Sequence, residues 1–243
     1  MPVFTYPPNI YGSYYNSSKK MAYVVGQCAT ATSSSGVAQY NVMIEALSNQ
    51  TPYTRAWFKD MVTTYGWSTE LYNSAYDETK DILYLVYGGT SPNTYLHAIS
   101  GVDGSDVYPR VQITNLDISH LGAFSLSHDV FMTLNDVTGK PQIVTLSTGA
   151  LTSGNAVSPL PSQSYTGAFI TENGLFVKLY EDSVPNMYAF VSDVNGLASS
   201  VPIMNGVTPV AGIGTAAGYV LSAIDSNSFY MSNYGVDIGK FSF

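Results

Sequence analysis

One short phrase recurs five times along the chain, and it constrains the fold more than any other feature of the sequence. It is a brief strand with a small or turn-prone residue, a polar turn, then a longer and more apolar strand; residues 71–87 are its clearest copy. The opening strands are expected at 11–16, 72–77, 121–126, 166–171 and 217–222, marked by Gly12, Asn73, Gly122, Gly167 and Gly218. The markers are spaced by 61 (12 to 73), 49 (73 to 122), 45 (122 to 167) and 51 (167 to 218) residues. A four-stranded propeller blade needs roughly 40–50 residues. The long first interval is accounted for by a loop over 28–37.

The rest of each repeat follows the same grammar. Second strands are expected at 21–25, 82–86, 130–134, 175–179 and 229–232, several apolar throughout, as strands covered on both faces are. Third strands, at 39–44, 95–99, 142–146, 187–191 and 236–241, partly alternate. Three of them run into turns at Gly104, Gly149 and Gly196, where glycine supplies the positive φ a turn needs. Fourth strands are expected at 53–58, 107–113, 156–160 and 201–204. Three of these carry proline, which donates no ladder hydrogen bond and so belongs on a sheet edge. The fifth repeat ends after its third strand, and residues 2–6 supply the missing fourth.

The expected fold is therefore all-β: a five-bladed β-propeller of four-stranded antiparallel blades, its ring closed by the N-terminal strand. It is a single domain with repeats at about 9–61, 62–113, 114–160, 161–204 and 205–243 and a closing strand at 1–8. One helical competitor spans 51–66, with Thr51 as cap, Gly66 as stop, and Trp57, Met61 and Tyr65 four apart. Its place in the repeat favours a strand.

Charged residues are only 11% of the chain, against about a quarter in an average domain. Ser, Thr, Asn, Gln and Tyr must then supply the polar surface, which favours an extracellular or surface-exposed setting and contacts with little charge desolvation. A net charge of −8 and a pI near 4.6 argue against nucleic acid; only Arg55 and Arg110 are available for bidentate phosphate recognition. No run approaches the ~18 apolar residues of a membrane span, and the first residues do not read as a secretory signal. Cys28 is the single cysteine, expected to be buried. Asn16 and Asn49 match the glycosylation acceptor pattern, which arises by chance in such a composition.

Candidate chemistry is sparse. Glu70, Asp77, Glu172 and Asp225 lie near inner strands, where a propeller glycosidase would place its carboxylates; Asp77, Glu172 and Asp225 also read as turn residues. His120 and His128 flank the third inner strand. His128 and Asp129 are neighbours, which on a strand point to opposite faces. His97 sits in an apolar strand as a packed or edge residue. No zinc spacing is present. Asp103 and Asp106 resemble a fragment of a calcium loop but fit a plain turn better. Gly212 and Gly214 precede a strand, not the helix a dinucleotide site requires. Tyr11, Tyr14, Tyr15, Tyr23, Tyr72, Tyr76, Tyr84 and Tyr87 offer flat faces with hydroxyls, suited to sugars, interfaces or blade packing.

In chain length and repeat count the sequence resembles five-bladed β-propellers, among them the tachylectin-2-like lectins and the five-bladed glycosidases. The resemblance implies the fold; no functional residue carries over, because the loops differ between repeats. The expectation is a non-catalytic recognition or surface-assembly module with no catalytic residues, metal or cofactor. Its partner would be a protein or glycan, and self-association is open. A glycoside-active propeller hydrolase and a capsid-type subunit exchanging its N-terminal strand are the alternatives.

Overall fold

The computed structural model describes residues 9–32, 38–48, 54–65, 71–88, 93–113, 122–135, 138–155, 164–181, 187–195, 203–207, 219–225, 228–233 and 237–242. The chain forms two compact units, Met1–Thr114 and Asn115–Phe243.

In the first unit, β1 (Asn9–Asn16), β2 (Met21–Thr32), β3 (Ala38–Ser48) and β4 (Thr54–Asp60) pair in that order as one antiparallel sheet. A short helix, α1 (Met61–Tyr65), follows. A second sheet pairs β5 (Leu71–Asp77), β6 (Ile82–Gly88), β7 (Thr94–Ser100) and β8 (Val111–Ile113) in the same order. The second unit holds β9 (Ala123–Ser125), β10 (Val130–Asn135), β11 (Lys140–Thr145) and β12 (Ala150–Ser153) in one sheet. Another sheet contains β13 (Ser164–Ile170), β14 (Leu175–Glu181), β15 (Met187–Asp193) and β16 (Ile203–Val207). A third contains β17 (Tyr219–Asp225), β18 (Ser228–Asn233) and β19 (Asp237–Ser242). The strand expected to complete this last sheet, 1–8, lies outside the described residues.

Two backbone devices repeat with the sequence. The first strand carries a register shift just before the marker in three sheets: between Ile10 and Gly12, Leu71 and Asn73, and Tyr165 and Gly167. The extra residue of such a bulge bends the strand and increases its twist. Each described first turn ends on a left-handed residue: Lys20 (φ 53°), Asp81 (φ 56°), Asp129 (φ 57°) and Gly174 (φ 77°). These are spaced by 61 (20 to 81), 48 (81 to 129) and 45 (129 to 174), close to the marker spacings.

First strands of consecutive sheets are neighbours within each unit: β1 beside β5, and β9 and β17 beside β13. The marker glycine has a packing role there. A Cβ on Gly12 would sit 2.7 Å from Ser74 Oγ and 2.8 Å from the Tyr14 hydroxyl. Among the described residues the second strands β10 and β6 are the most completely buried, β10 at every position and β6 at all but its first. The first unit's core gathers Tyr23, Val25, Ile44, Leu83, Leu85 and Tyr87 with Met61 of α1. The second unit's described core gathers Val130, Met132, Leu134, Ile143 and Phe176. Side chains of this size each contribute about 1.5–3 kcal/mol on burial.

The outer strands differ from expectation. The stretch 107–113 shortens to β8, because Pro109 interrupts pairing after the Ile99–Asp106 bridge. The third sheet's outer strand is β12, not 156–160: the turn at Gly149, whose N–H donates to Thr145 O, returns the chain at once. Residues 156–160 lie outside the described residues. The outer strand expected at 201–204 is Ile203–Val207. Pro109 therefore precedes its outer strand and does not sit in it, while Pro159 and Pro202 lie outside the described residues. The described in-strand proline is Pro141, at the start of β11, whose carbonyl accepts from Gly154. The stretch 51–66 divides: Trp57 is in a strand and Met61–Tyr65 is helical. Asp60 makes the switch, its Oδ1 accepting from Val62 N at 2.9 Å as an N-cap.

Candidate functional site

Two polar clusters stand out in the first unit, and they differ in kind. One is sealed. Asp81 is 5% exposed and joins the two sheets. Its Oδ1 accepts from Tyr23 Oη and Tyr76 Oη, both at 2.7 Å, and from Asn16 Nδ2 at 3.4 Å; its Oδ2 accepts from Lys19 Nζ at 2.6 Å. Tyr76 Oη in turn accepts from Asn16 Nδ2 at 2.7 Å. The Gly101 carbonyl accepts from Trp57 Nε1 at 2.9 Å and Tyr23 Oη at 3.2 Å, and Gly101 N donates to the Asp81 carbonyl. Burial pushes the Asp81 carboxyl up. Hydrogen bonds from Lys19, Tyr76 and Tyr23 and the Lys19 charge outweigh it, so the net shift is downward. Burial and the bond to Asp81 push Tyr76 up to about 12. The carboxylate is buried and its acceptor oxygens are taken up by donors from both sheets, with Lys19 reaching in from the surface, so this cluster is a fastening between sheets.

The other cluster is open. A groove of about 500 Å³ is lined by Tyr65, Asp106, Val107, Tyr108, Pro109 and Arg110. The turn before it is set by Asp103, whose Oδ1 accepts from Ser105 N at 3.0 Å, and by Gly104 (φ 74°). From the neighbouring sheet, Lys59 Nζ reaches the Gly104 carbonyl at 2.8 Å and Asp106 Oδ1 at 2.5 Å. Tyr65, presented by α1, donates to Asp106 Oδ2. The Arg110 guanidinium lies over two rings, 3.9 Å from the Tyr95 centroid and 4.6 Å from that of Tyr65, and hydrogen-bonds the Tyr87 hydroxyl. Among the described residues no carboxylate pairs with Arg110.

His97 forms the floor of this cluster and is fully buried. Its Nδ1 is 3.3 Å from Tyr87 Oη. Its Nε2 is 3.0 Å from Asp106 Oδ1 but is not aligned as a hydrogen bond. Burial dominates, and the imidazole is pushed down to about 4 in spite of the neighbouring Asp106 carboxylate. Burial pushes Asp106 up, but Lys59, Tyr65 and the neighbouring charges hold it below its ordinary value.

A depressed histidine destabilises the fold in acid. Between the ordinary value of 6.5 and about 4, the unfolded chain takes up the proton and the folded chain does not. Stability should therefore fall as pH drops through that window. Denaturation midpoints against pH should show the slope in the native chain and lose it in His97→Gln. A flat profile in the native chain would contradict a neutral, buried His97.

The sequence candidates are distributed as follows. Asp77 is a turn carboxylate, accepting from Thr79 N and Lys80 N at 3.0 Å each. Glu172 is exposed in the turn before β14, and Asp225 ends β17. Glu70, His120, Asn49, Gly212 and Gly214 lie outside the described residues. His128 Nδ1 bonds Ser125 Oγ at 2.8 Å, while Asp129 accepts from Ser147 Oγ; the two neighbours lie in the turn before β10 and not on a strand, and they take different partners. Cys28 is buried, and burial pushes its thiol up. Asn16 is buried with its amide engaged, which excludes it as a glycan acceptor. Arg55 bonds Glu45 across β3 and β4. His97, Asp106 and Arg110, read separately from sequence, converge at the groove. Tyr65 and Lys59 were missed; the one available signal was the Asp60 cap that aims α1. No group of three potential metal ligands occurs among the described residues, nor is any described helix long and apolar enough to cross a membrane.

Repeated antiparallel meanders with neighbouring first strands define an all-β protein whose sheets fit a β-propeller fold. No protein-family model and no curated protein matches the chain. Among solved structures, a Bacteroides caccae protein of unknown function aligns with a TM-score of 0.52 at 10% identity, over 99% of this chain and 81% of that one. That likeness is one of fold alone. BamB from Moraxella catarrhalis aligns with a TM-score of 0.44 at 11% identity, over 92% of this chain and 61% of its own. A chain of a nidogen/laminin complex aligns at 0.38 and 11%, over 76% of each. Neither of these two carries the argument further.

Proposed function

We propose that the chain is a non-catalytic recognition module, a five-bladed propeller closed by residues 1–8, that takes its partner at the groove beside Arg110. The observation carrying this reading is the groove itself. It has the volume of a ligand site, about 500 Å³ where such sites span roughly 300–1,000 Å³. It combines aromatic and apolar walls with a few convergent polar groups.

A hydrolytic role fits these groups less well. Glycoside hydrolysis uses two carboxylates flanking one bond, and the described groove lining offers Asp106 alone, held ionised by Lys59 and Tyr65. The test is a glycan panel with the intact chain, read for retention and for released reducing sugar. The module reading expects retention that weakens in Tyr65→Ala, without release. Sugar release would replace it with the hydrolase.

A further inference from the structure

We infer that the groove selects a carboxylate-bearing sugar, a uronate-class glycan, with Arg110 as its anion-recognising residue; this rests on the recognition reading above. Three observations lead there. The first is the state of Arg110. A guanidinium is always charged and presents a planar fork matched to a carboxylate. Here it lies over the Tyr95 and Tyr65 rings at 3.9 and 4.6 Å, which fixes its plane. No described carboxylate occupies that fork, although acids outnumber bases by 17 to 9 in the chain. The bond to the Tyr87 hydroxyl uses one of the guanidinium's five N–H donors and leaves the others for a ligand.

The second is the neighbouring acceptor. Asp106 lines the same groove, and an ionised carboxylate offers about four acceptor positions. Lys59 and Tyr65 each donate to it, and His97 Nε2 approaches without alignment. The remaining capacity suits a ligand hydroxyl. A sugar acid brings a carboxylate and hydroxyl donors within one ring. An acidic peptide carries its carboxylate on a flexible side chain and its N–H donors on a separate backbone, so the two are not fixed relative to one another as they are on a ring.

The third is shape. Tyr65 and Pro109 give the groove flat apolar walls, and its volume is that of a small ligand, not of a protein epitope. The edge strand beside it, β8, has three residues, too few to dock an extended peptide by added strand pairing.

Titration calorimetry on the full chain tests this with three probes: tetragalacturonate, the same oligomer as its methyl ester, and tetraglutamate. The acid sugar should bind. Loss of a charge-assisted pair is worth about tenfold or more, so the ester should bind at least about tenfold more weakly. Arg110→Lys should weaken acid-sugar binding by a similar factor, since it keeps the charge and loses the fork and the stacking. Arg55→Lys, outside the groove lining and paired with Glu45, should bind as the native chain does. Near-ultraviolet circular dichroism confirms that the variants fold. Equal binding of acid and ester, preference for tetraglutamate, or no binding of any probe by the folded chain would each overturn the inference. If another glycan or a protein is then held in a Tyr65-dependent way, the recognition reading survives; if Tyr65→Ala leaves all retention unchanged, that reading falls as well.

Discussion

Asp81→Ala should lower the unfolding free energy by about 3 kcal/mol, because it removes the shared acceptor of a buried network and leaves its donors behind. Tyr23 and Tyr76 each donate to Asp81 at 2.7 Å from different sheets, and Lys19 adds its ammonium at 2.6 Å. Hydrogen bonds to charged groups are worth about 1.5–3 kcal/mol each. The sum is tempered because Tyr23 keeps a second acceptor in Gly101 O and Lys19 is exposed enough to regain water. Asp81→Asn separates charge from geometry: asparagine also tolerates the left-handed conformation at φ 56°. It should cost about 2 kcal/mol, and Lys19→Met under about 1 kcal/mol. Urea unfolding of the three variants checks the order; an Asp81→Ala loss below about 1 kcal/mol would mean the network does not fasten the sheets. The pH dependence has a defined sign. The folded Asp81 carboxyl lies below its ordinary 3.8, so its contribution is complete above that value and is lost as pH falls through the lower folded one. That window lies below the one in which His97 acts, so the two groups can be told apart in a single pH series.

The fastening also shows what the sequence could and could not reveal. The recurrence that marks Gly12, Asn73 and Gly167 was visible as small or turn-prone residues at matched spacing, and its cause is a bulge one residue earlier. The pattern reports a backbone requirement, so it survives while side chains change. Second strands were legible for a similar reason: burial on both faces writes a continuous apolar run, as in β10. Outer strands leave no such record. β8 and β12 are short, carry exposed residues and begin where the preceding turn delivers them, and Pro109 pointed to the flank of β8 and not to its pairing residues. Asp81 itself falls in the polar turn of the 71–87 repeat and carries no signal of its own. Nothing local distinguishes it from Asp129 at the equivalent position, which accepts from Ser147 N and Oγ. Its importance comes from Tyr23 in the adjacent sheet, 58 positions away.

The groove was legible only in pieces. His97, Asp106 and Arg110 each had a plausible local explanation as a packed, turn or surface residue. Their convergence depends on β7 placing His97 inward, the Gly104 turn returning Asp106 over it, and Pro109 breaking the strand so that Arg110 swings onto Tyr95. Tyr65 depends on Asp60 halting β4 and starting α1. These are long-range consequences of turn geometry, and periodicity carries no trace of them. The same dependence makes the groove sensitive to Trp57 and Lys59, which hold the turn from the neighbouring sheet without lining the cavity.

Gly101→Ala should cost about 2–4 kcal/mol, and most of that cost should vanish once Asp81 has been truncated. A Cβ at position 101 would lie 2.2 Å from Asp81 Oδ1, 2.5 Å from Asp81 Cγ and 2.7 Å from Tyr23 Oη. Contacts this short are relieved cheaply when the obstacle is a free side-chain end. Here the obstacle is held by Tyr23, Tyr76 and Lys19, and Gly101 is itself tied by its N–H to the Asp81 carbonyl and by its carbonyl to Trp57. Neither side can yield without breaking the network, so the strain has to appear as lost stability. In an Asp81→Ala background the carboxylate is gone, and the added methyl enters space that the mutation opened. The double mutant should therefore be more stable than additivity predicts by about 1–3 kcal/mol, the range in which directly contacting residues couple. Urea unfolding of the native chain, both single variants and the double variant completes the cycle. Strict additivity would show that Asp81 and Gly101 act independently and that the carboxylate does not set the space between the two sheets.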